Sequence, residues 1–165
     1  MIVKIDDWIF DVDMTATMEY SAKEAAEHCD CAYCRNFYAT VDTVCSELRP
    51  FMAQFGVDIE APEELMPFEP TLYLSCYAVE GQIVKKGSPL IMVDGVKVMP
   101  ETAKDAMINC GMRAPYFVLS VGPITLPWVL DEPMEDVISP ANLPSFLKRM
   151  WDRLLRRQKK DIMSS

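Results

Sequence analysis

Proline limits what this chain can become more than any other residue: there are twelve among 165 residues, and eleven fall between Pro62 and Pro144. A proline ring fixes φ and leaves no backbone N–H to donate, so it interrupts helix interiors and central strands alike. The second half is therefore predicted to consist of short elements separated by turns.

Within that limit the pattern reads as α+β. Ile2 to Ile5 and Trp8 to Val12, split by Asp6 and Asp7, form the strands of a hairpin. Ser21 to Glu24 matches a capping box, in which hydroxyl and carboxylate satisfy free N–H groups, and opens a short helix reaching about Glu27. Asp30 caps a second helix from Cys31 to about Val41, and a third runs from about Ser46 to Phe55 with Gly56 closing it. From Thr71 the spacing turns to β. Thr71 to Val79 returns through a Glu80–Gly81 turn into Gln82 to Lys85; Leu90 to Val93 and Val96 to Met99 flank Asp94–Gly95. Tyr116 to Val121 and Ile124 to Val129 flank Gly122–Pro123, and a brief helix around Ala103 to Asn109 crosses between hairpins. Asp94–Gly95 is the strongest of these signals, because both turn positions favour positive φ. Connections this short call for antiparallel pairing. The expected fold is a single α+β domain over residues 1–165. It comprises a hairpin and helices over 1–56, a mostly antiparallel sheet of five to seven short strands within 71–130, and an amphipathic helix over 144–160.

Charge is divided along the chain. Residues 1–143 hold 23 acidic and 9 basic side chains, whereas residues 144–165 hold 7 basic and 2 acidic ones. Duplex affinity is largely phosphate neutralisation, so the acidic body excludes general nucleic-acid binding. Only the last helix offers such contacts. There Phe146, Leu147, Met150, Trp151, Leu154 and Leu155 form an apolar stripe flanked by Arg149, Arg153, Arg156 and Arg157. The stripe either packs on the body or grips a partner through Trp151 and those arginines. Trp128, in Pro-Trp-Val-Leu-Asp-Glu-Pro, is a second candidate for a protein interface, since tryptophan is enriched among hot spots, or else it faces the core. The start of the chain shows neither a basic leader nor a long apolar run, so no transmembrane segment and a cytoplasmic location are expected.

The chemistry is concentrated between His28 and Cys34, where His-Cys-Asp-Cys-Ala-Tyr-Cys places three of six cysteines and the only histidine within seven residues. In a reducing compartment such spacing points to metal ligands or redox thiols before disulfides. Zn²⁺ takes four ligands, and Cys29, Cys31 and Cys34 can supply three from a loop entering a helix, whose dipole also favours the thiolate. Cys45 lies about 16 Å along that helix from Cys34 and cannot be the fourth. His28, Cys76 and Cys110 remain as candidates. Iron–sulfur and copper sites lack a familiar spacing. A redox reading takes Cys31 and Cys34 as a Cys-x-x-Cys pair with Cys29 as resolving thiol. The third alternative is that the cysteines are small buried apolar residues. No glycine-rich phosphate loop and no catalytic constellation is present elsewhere, and the carboxylates of Asp58 to Glu69 and Asp131 to Asp136 read as solvated surface.

The run Cys29-Asp-Cys31-Ala-Tyr-Cys34-Arg35-Asn36-Phe37, with Phe51 to Glu60, Pro62 and Leu126 to Glu132, resembles a set of small uncharacterised bacterial proteins. These share a Cys-x-Cys-x-x-Cys-Arg-Asn-Phe segment. The resemblance implies a bacterial or prophage-encoded protein and carries no activity or ligand with it. The expectation is a non-catalytic binding or assembly protein with protein partners, self or other, and a structural zinc at the cluster, with a thiol redox enzyme or sensor as the rival.

Overall fold

The computed structural model describes residues 1–134 other than 70, 107 and 109. In order, the chain forms β1 (Ile2–Ile5), β2 (Trp8–Val12), α1 (Met14–Ala26), α2 (Ala32–Val44), α3 (Leu48–Ala53), β3 (Glu64–Glu69), β4 (Leu72–Lys85), β5 (Ile91–Val93), β6 (Val96–Thr102) and β7 (Tyr116–Thr125). All seven strands pair antiparallel in the order β1-β2-β4-β7-β6-β5, with β3 against the first half of β4. The fold is α+β, as the sequence predicts. The helix expected over 144–160 lies outside the described residues, and so do Arg149, Trp151, Arg153, Arg156 and Arg157.

Strand lengths depart from expectation for a physical reason. β4 does not turn at Glu80–Gly81 but continues for fourteen residues, pairing with β3 through Leu72 to Cys76 and with β2 through Gly81 to Lys85. At the changeover Gly81 has φ 139°, and a Cβ there would lie 2.0 Å from the Asp11 carbonyl oxygen. Glycine permits the close crossing of β2 over β4, so what reads as a turn is a point of backbone contact. β7 likewise runs through Gly122–Pro123. Between Tyr73↔Ile124 and Ser75↔Val121 it carries one more residue than β4, a bulge that absorbs the proline. Pro67 sits at an irregularity in β3, and Pro100 falls where β6 has only β7 as partner among the described residues. The prolines thus occupy edges and bulges instead of ending every element.

The helices also shift. α1 begins at Asp13, whose carboxylate accepts from Ala16 N at 3.1 Å, so Ser21 lies mid-helix and its hydroxyl accepts from Asp58 N instead of capping. α2 begins one residue late, with Cys31 and not Asp30 at the N-cap and no side-chain cap bond. α3 shrinks to six residues with Pro50 in its first turn, where a missing N–H is tolerated. Residues 103–105 form a turn closed by bonds from Asp105 N and Ala106 N to Thr102 O, in place of the expected crossing helix. β3 was not expected at all. Its alternation of buried Met66 and Phe68 is hidden in an acidic, proline-bearing stretch.

Period-two alternation gives the sheet two different faces. Tyr73, Tyr77 and Val79 of β4 and Phe117, Leu119 and Val121 of β7 face the helices. There they meet Phe37, Val41, Leu48, Met52 and Phe55 in the main core. Phe10 packs on Phe55 and Phe117, each with ring centroids 5.2 Å apart. Each such large side chain stabilises the fold by roughly 1.5–3 kcal/mol when fully buried. Leu74, Cys76, Met99 and Val118 form a smaller core on the opposite face.

Two glycines separate steric from conformational demand. Gly81→Ala is expected to destabilise by about 4 kcal/mol or more because its Cβ meets backbone. Gly95→Ala, at φ 76° with nothing within 4 Å, should lose only about 1 kcal/mol of turn preference. Urea denaturation of both variants checks the difference.

Candidate metal centre

α1 ends at Ala26 and α2 starts at Ala32, so Glu27 to Cys31 must reverse the chain in five residues. Arg35 secures the corner: its Nε donates to Asp30 O at 3.0 Å, and its Nη1 pairs with Glu132 Oε1 at 2.6 Å. This brings Cys29, Cys31 and the first-turn residue Cys34 together, with all three sulfurs within 4.8 Å of one another. Among the described residues it is the one group of three or more histidine, cysteine or carboxylate donors so placed. Tetrahedral Zn–S bonds of 2.3 Å set sulfur separations of about 3.8 Å, so closure needs a contraction of at most about 1 Å. Three close cysteines of this geometry can hold a metal ion.

The three thiols are not equivalent. Cys29 and Cys31 are exposed, while Cys34 is buried against the helical layer. Cys29 is held below the usual thiol range, first by the Cys31 backbone N–H and then by the Cys31 and Cys34 side chains. Burial pushes Cys34 well above that range, and its two neighbours add to the rise. A thiol whose ionisation is eased beside a buried one whose ionisation is opposed is the polarity expected where backbone N–H groups at a helix start point at sulfur. Tyr38, one turn after Cys34, is raised by burial and then by its contact with the Cys34 sulfur.

The cluster opens onto a groove of about 340 Å³ whose rim carries Glu24, Glu27, Glu63 and Glu64. Sequence reasoning missed these residues because α1 and β3 bring them from either side. No local pattern marks them: Glu64 is exposed between half-buried neighbours although alternation puts it on the same face as buried Met66 and Phe68. Glu63 accepts from the Tyr20 hydroxyl at 2.6 Å, and its backbone N–H pins the end of β3 to Cys76 O at 2.8 Å.

The other candidates do not join the three sulfurs. His28 lines the groove with its ring stacked on Tyr38, centroids 4.4 Å apart. Cys76 faces the smaller core, its sulfur 3.6 Å from Ser120 Oγ, and burial pushes it up to about 12. Cys110 is half-buried beside Tyr116, and Cys45 is buried in the main core after α2. Trp128 packs edge-on against Tyr33 and donates its indole N–H to Glu132 O at 2.9 Å, so its ring is held to the body.

Asn36, also missed, joins the cluster's helix to the segment after β7. It is fully buried, donates to Tyr73 Oη at 3.1 Å and to Pro127 O at 3.0 Å, and accepts from Val129 N at 2.9 Å. Arg35, Asn36 and Tyr33 therefore unite in space the 29–37 and 126–132 segments. No helix of the described residues is long and apolar enough to cross a membrane. No family model matches the chain, and no curated protein or solved structure matches it.

The Tyr20–Glu63 pair has a pH signature. Burial, the largest influence, raises the Glu63 carboxyl above its ordinary value, with the Tyr20 bond opposing it. A group raised in the folded state contributes most below its unfolded pKa, and that contribution is lost as pH rises through the folded value. Glu63→Gln should therefore gain stability relative to the parent at pH 7, and the gap should close towards pH 4, as read from urea midpoints across that range.

Proposed function

We propose that this chain is a non-catalytic binding or assembly protein in which Cys29, Cys31 and Cys34 hold a Zn²⁺ ion that fixes the corner between α1 and α2. The mutual approach of the three sulfurs within 4.8 Å carries the reading. It is supported by the N-cap of α2. Cys31 occupies that position without making a cap bond, where serine, threonine or aspartate would contribute about 1 kcal/mol. A sulfur that forgoes the capping bond is free to ligate. Thiolates suit zinc among the common divalent ions, and zinc binding to such a corner adds directly to folding stability. The resemblance of residues 29–37 to a bacterial segment extends the proposal to a bacterial, cytoplasmic protein. Its protein partners would be gripped through the basic stripe around Arg149, Trp151, Arg153, Arg156 and Arg157.

A thiol redox role is the second reading, and the lowered, exposed Cys29 beside Cys31 favours it. In that reading Cys29, not Cys31, attacks first.

One experiment separates the two. Protein purified without chelator is expected to carry about one zinc per chain by elemental analysis. Cys31→Ser should lose it while the metal-free protein unfolds no earlier than metal-free parent, because serine is the better N-cap. Six titratable thiols and no metal would defeat the zinc reading. Exchange with a small aromatic disulfide that Cys29→Ser abolishes would then establish the redox one.

A further inference from the structure

Every thiol and imidazole in the chain can be placed. The sequence has six cysteines and one histidine, and all seven lie among the described residues. Three sulfurs form the cluster. Cys45 is buried in the main core, Cys76 is enclosed on the opposite face of the sheet with Ser120, and Cys110 is paired with Tyr116. The His28 ring stacks on Tyr38 and falls outside the group of mutually close donors. A structural zinc site is closed by four protein ligands, whereas a site with three keeps a position for an external one. Among the described residues no histidine, further cysteine or carboxylate joins the three sulfurs, so the cluster as described belongs to the second kind.

Where that position points is also set. Cys34 backs the cluster from the buried side of α2, Cys29 and Cys31 are exposed, and the groove of about 340 Å³ lies in front of them. Its glutamate rim, Glu24, Glu27, Glu63 and Glu64, attracts cations and repels anionic donors such as phosphate or carboxylates. A metal already bound by three thiolates prefers a further soft donor. Resting on the zinc reading above, we propose that the metal on Cys29, Cys31 and Cys34 keeps its fourth position open to the groove. A small uncharged thiol would bind there: the metal–water bond breaks and the water leaves to solvent, the metal–sulfur bond forms, and the S–H proton passes to solvent water in the groove.

The test uses the full chain loaded with Co²⁺ under a non-thiol reductant, with 2-mercaptoethanol as the probe. Sulfur-to-cobalt charge-transfer absorption reports the number of bound thiolates. It is expected to rise by about one third on titration, three sulfurs becoming four, and to saturate at one thiol per site. Absorption that is present but indifferent to the thiol shows a closed site and overturns the proposal while leaving metal binding intact. If indifferent protein becomes responsive in His28→Ala, the imidazole is the closing ligand, and the proposal falls. A loss of about one quarter of the intensity in Cys110→Ser would identify a fourth protein sulfur with the same consequence. No charge-transfer band at all defeats the metal reading itself, and this inference with it.

Discussion

A strand of fourteen residues has two edges of backbone to satisfy, and β4 does so with partners that change along its length. β7 covers one stretch from Leu72 to Glu80, β3 pairs with the first five residues and β2 with the last five. Between those two, from Tyr77 to Glu80, neither strand pairs with it. Helix α1 covers the last position of this gap: Glu80 N donates to Thr17 Oγ1 at 3.1 Å, and Glu80 O accepts from Asp13 N at 2.9 Å. Thr17 is wholly buried, and its hydroxyl also returns a bond to Asp13 O, so one side chain caps both a helix turn and a sheet vacancy. Unpaired buried backbone groups cost about as much as a lost hydrogen bond, so the position of α1 follows from the gap in the ladder. Once α1 is placed there, its C-terminal end and the following corner are delivered beside β3.

The same strand decides which cysteines can act together. Alternation sends Tyr73 and Tyr77 to the helical face and Cys76 to the other, where the register Cys76↔Ser120↔Met99 encloses it. Moving Cys76 to the cluster would require a one-residue slip, and that would expel Tyr73 and Tyr77 from the core. The aromatic core thereby separates the three-sulfur cluster from Cys76, while the Asn36 bond to Tyr73 and the β3 residues lining the groove tie the cluster's helix to the sheet.

Features written in neighbouring residues were legible. The β1–β2 hairpin, the Asp94–Gly95 turn with φ 51° and 76°, and the cysteine cluster all depend on contacts a few residues apart. Features decided by distant partners were not. Glu80–Gly81 has turn chemistry, and only the approach of Asp11 from β2 turns it into a strand crossing. Ser21 and Glu24 satisfy a capping pattern, but Asp13 had already opened the helix and Asp58 had taken the Ser21 hydroxyl. The glutamates of the groove read as solvated surface because their meeting depends on α1 and β3 lying side by side, a consequence of β4 that no local window contains. Asn36 carried a weak signal, a polar residue between Cys34 and Phe37 on the apolar side of α2, where burial requires that its amide be satisfied.

Burial and exposure at the cluster divide structural from chemical work. Cys34 is fixed by the packing of α2, and α2 is fixed through Asn36 to Tyr73 at the centre of the main core. Cys29 and Cys31 hang on a five-residue corner held by exposed ion pairs of Arg35, and solvent screens such pairs so that they contribute little. One ligand is therefore preorganised and two are recruited. A metal arriving at such a site orders the corner as it binds, and part of its affinity is spent on that ordering. An ion bound there would be held more loosely than four rigid thiolates would hold it.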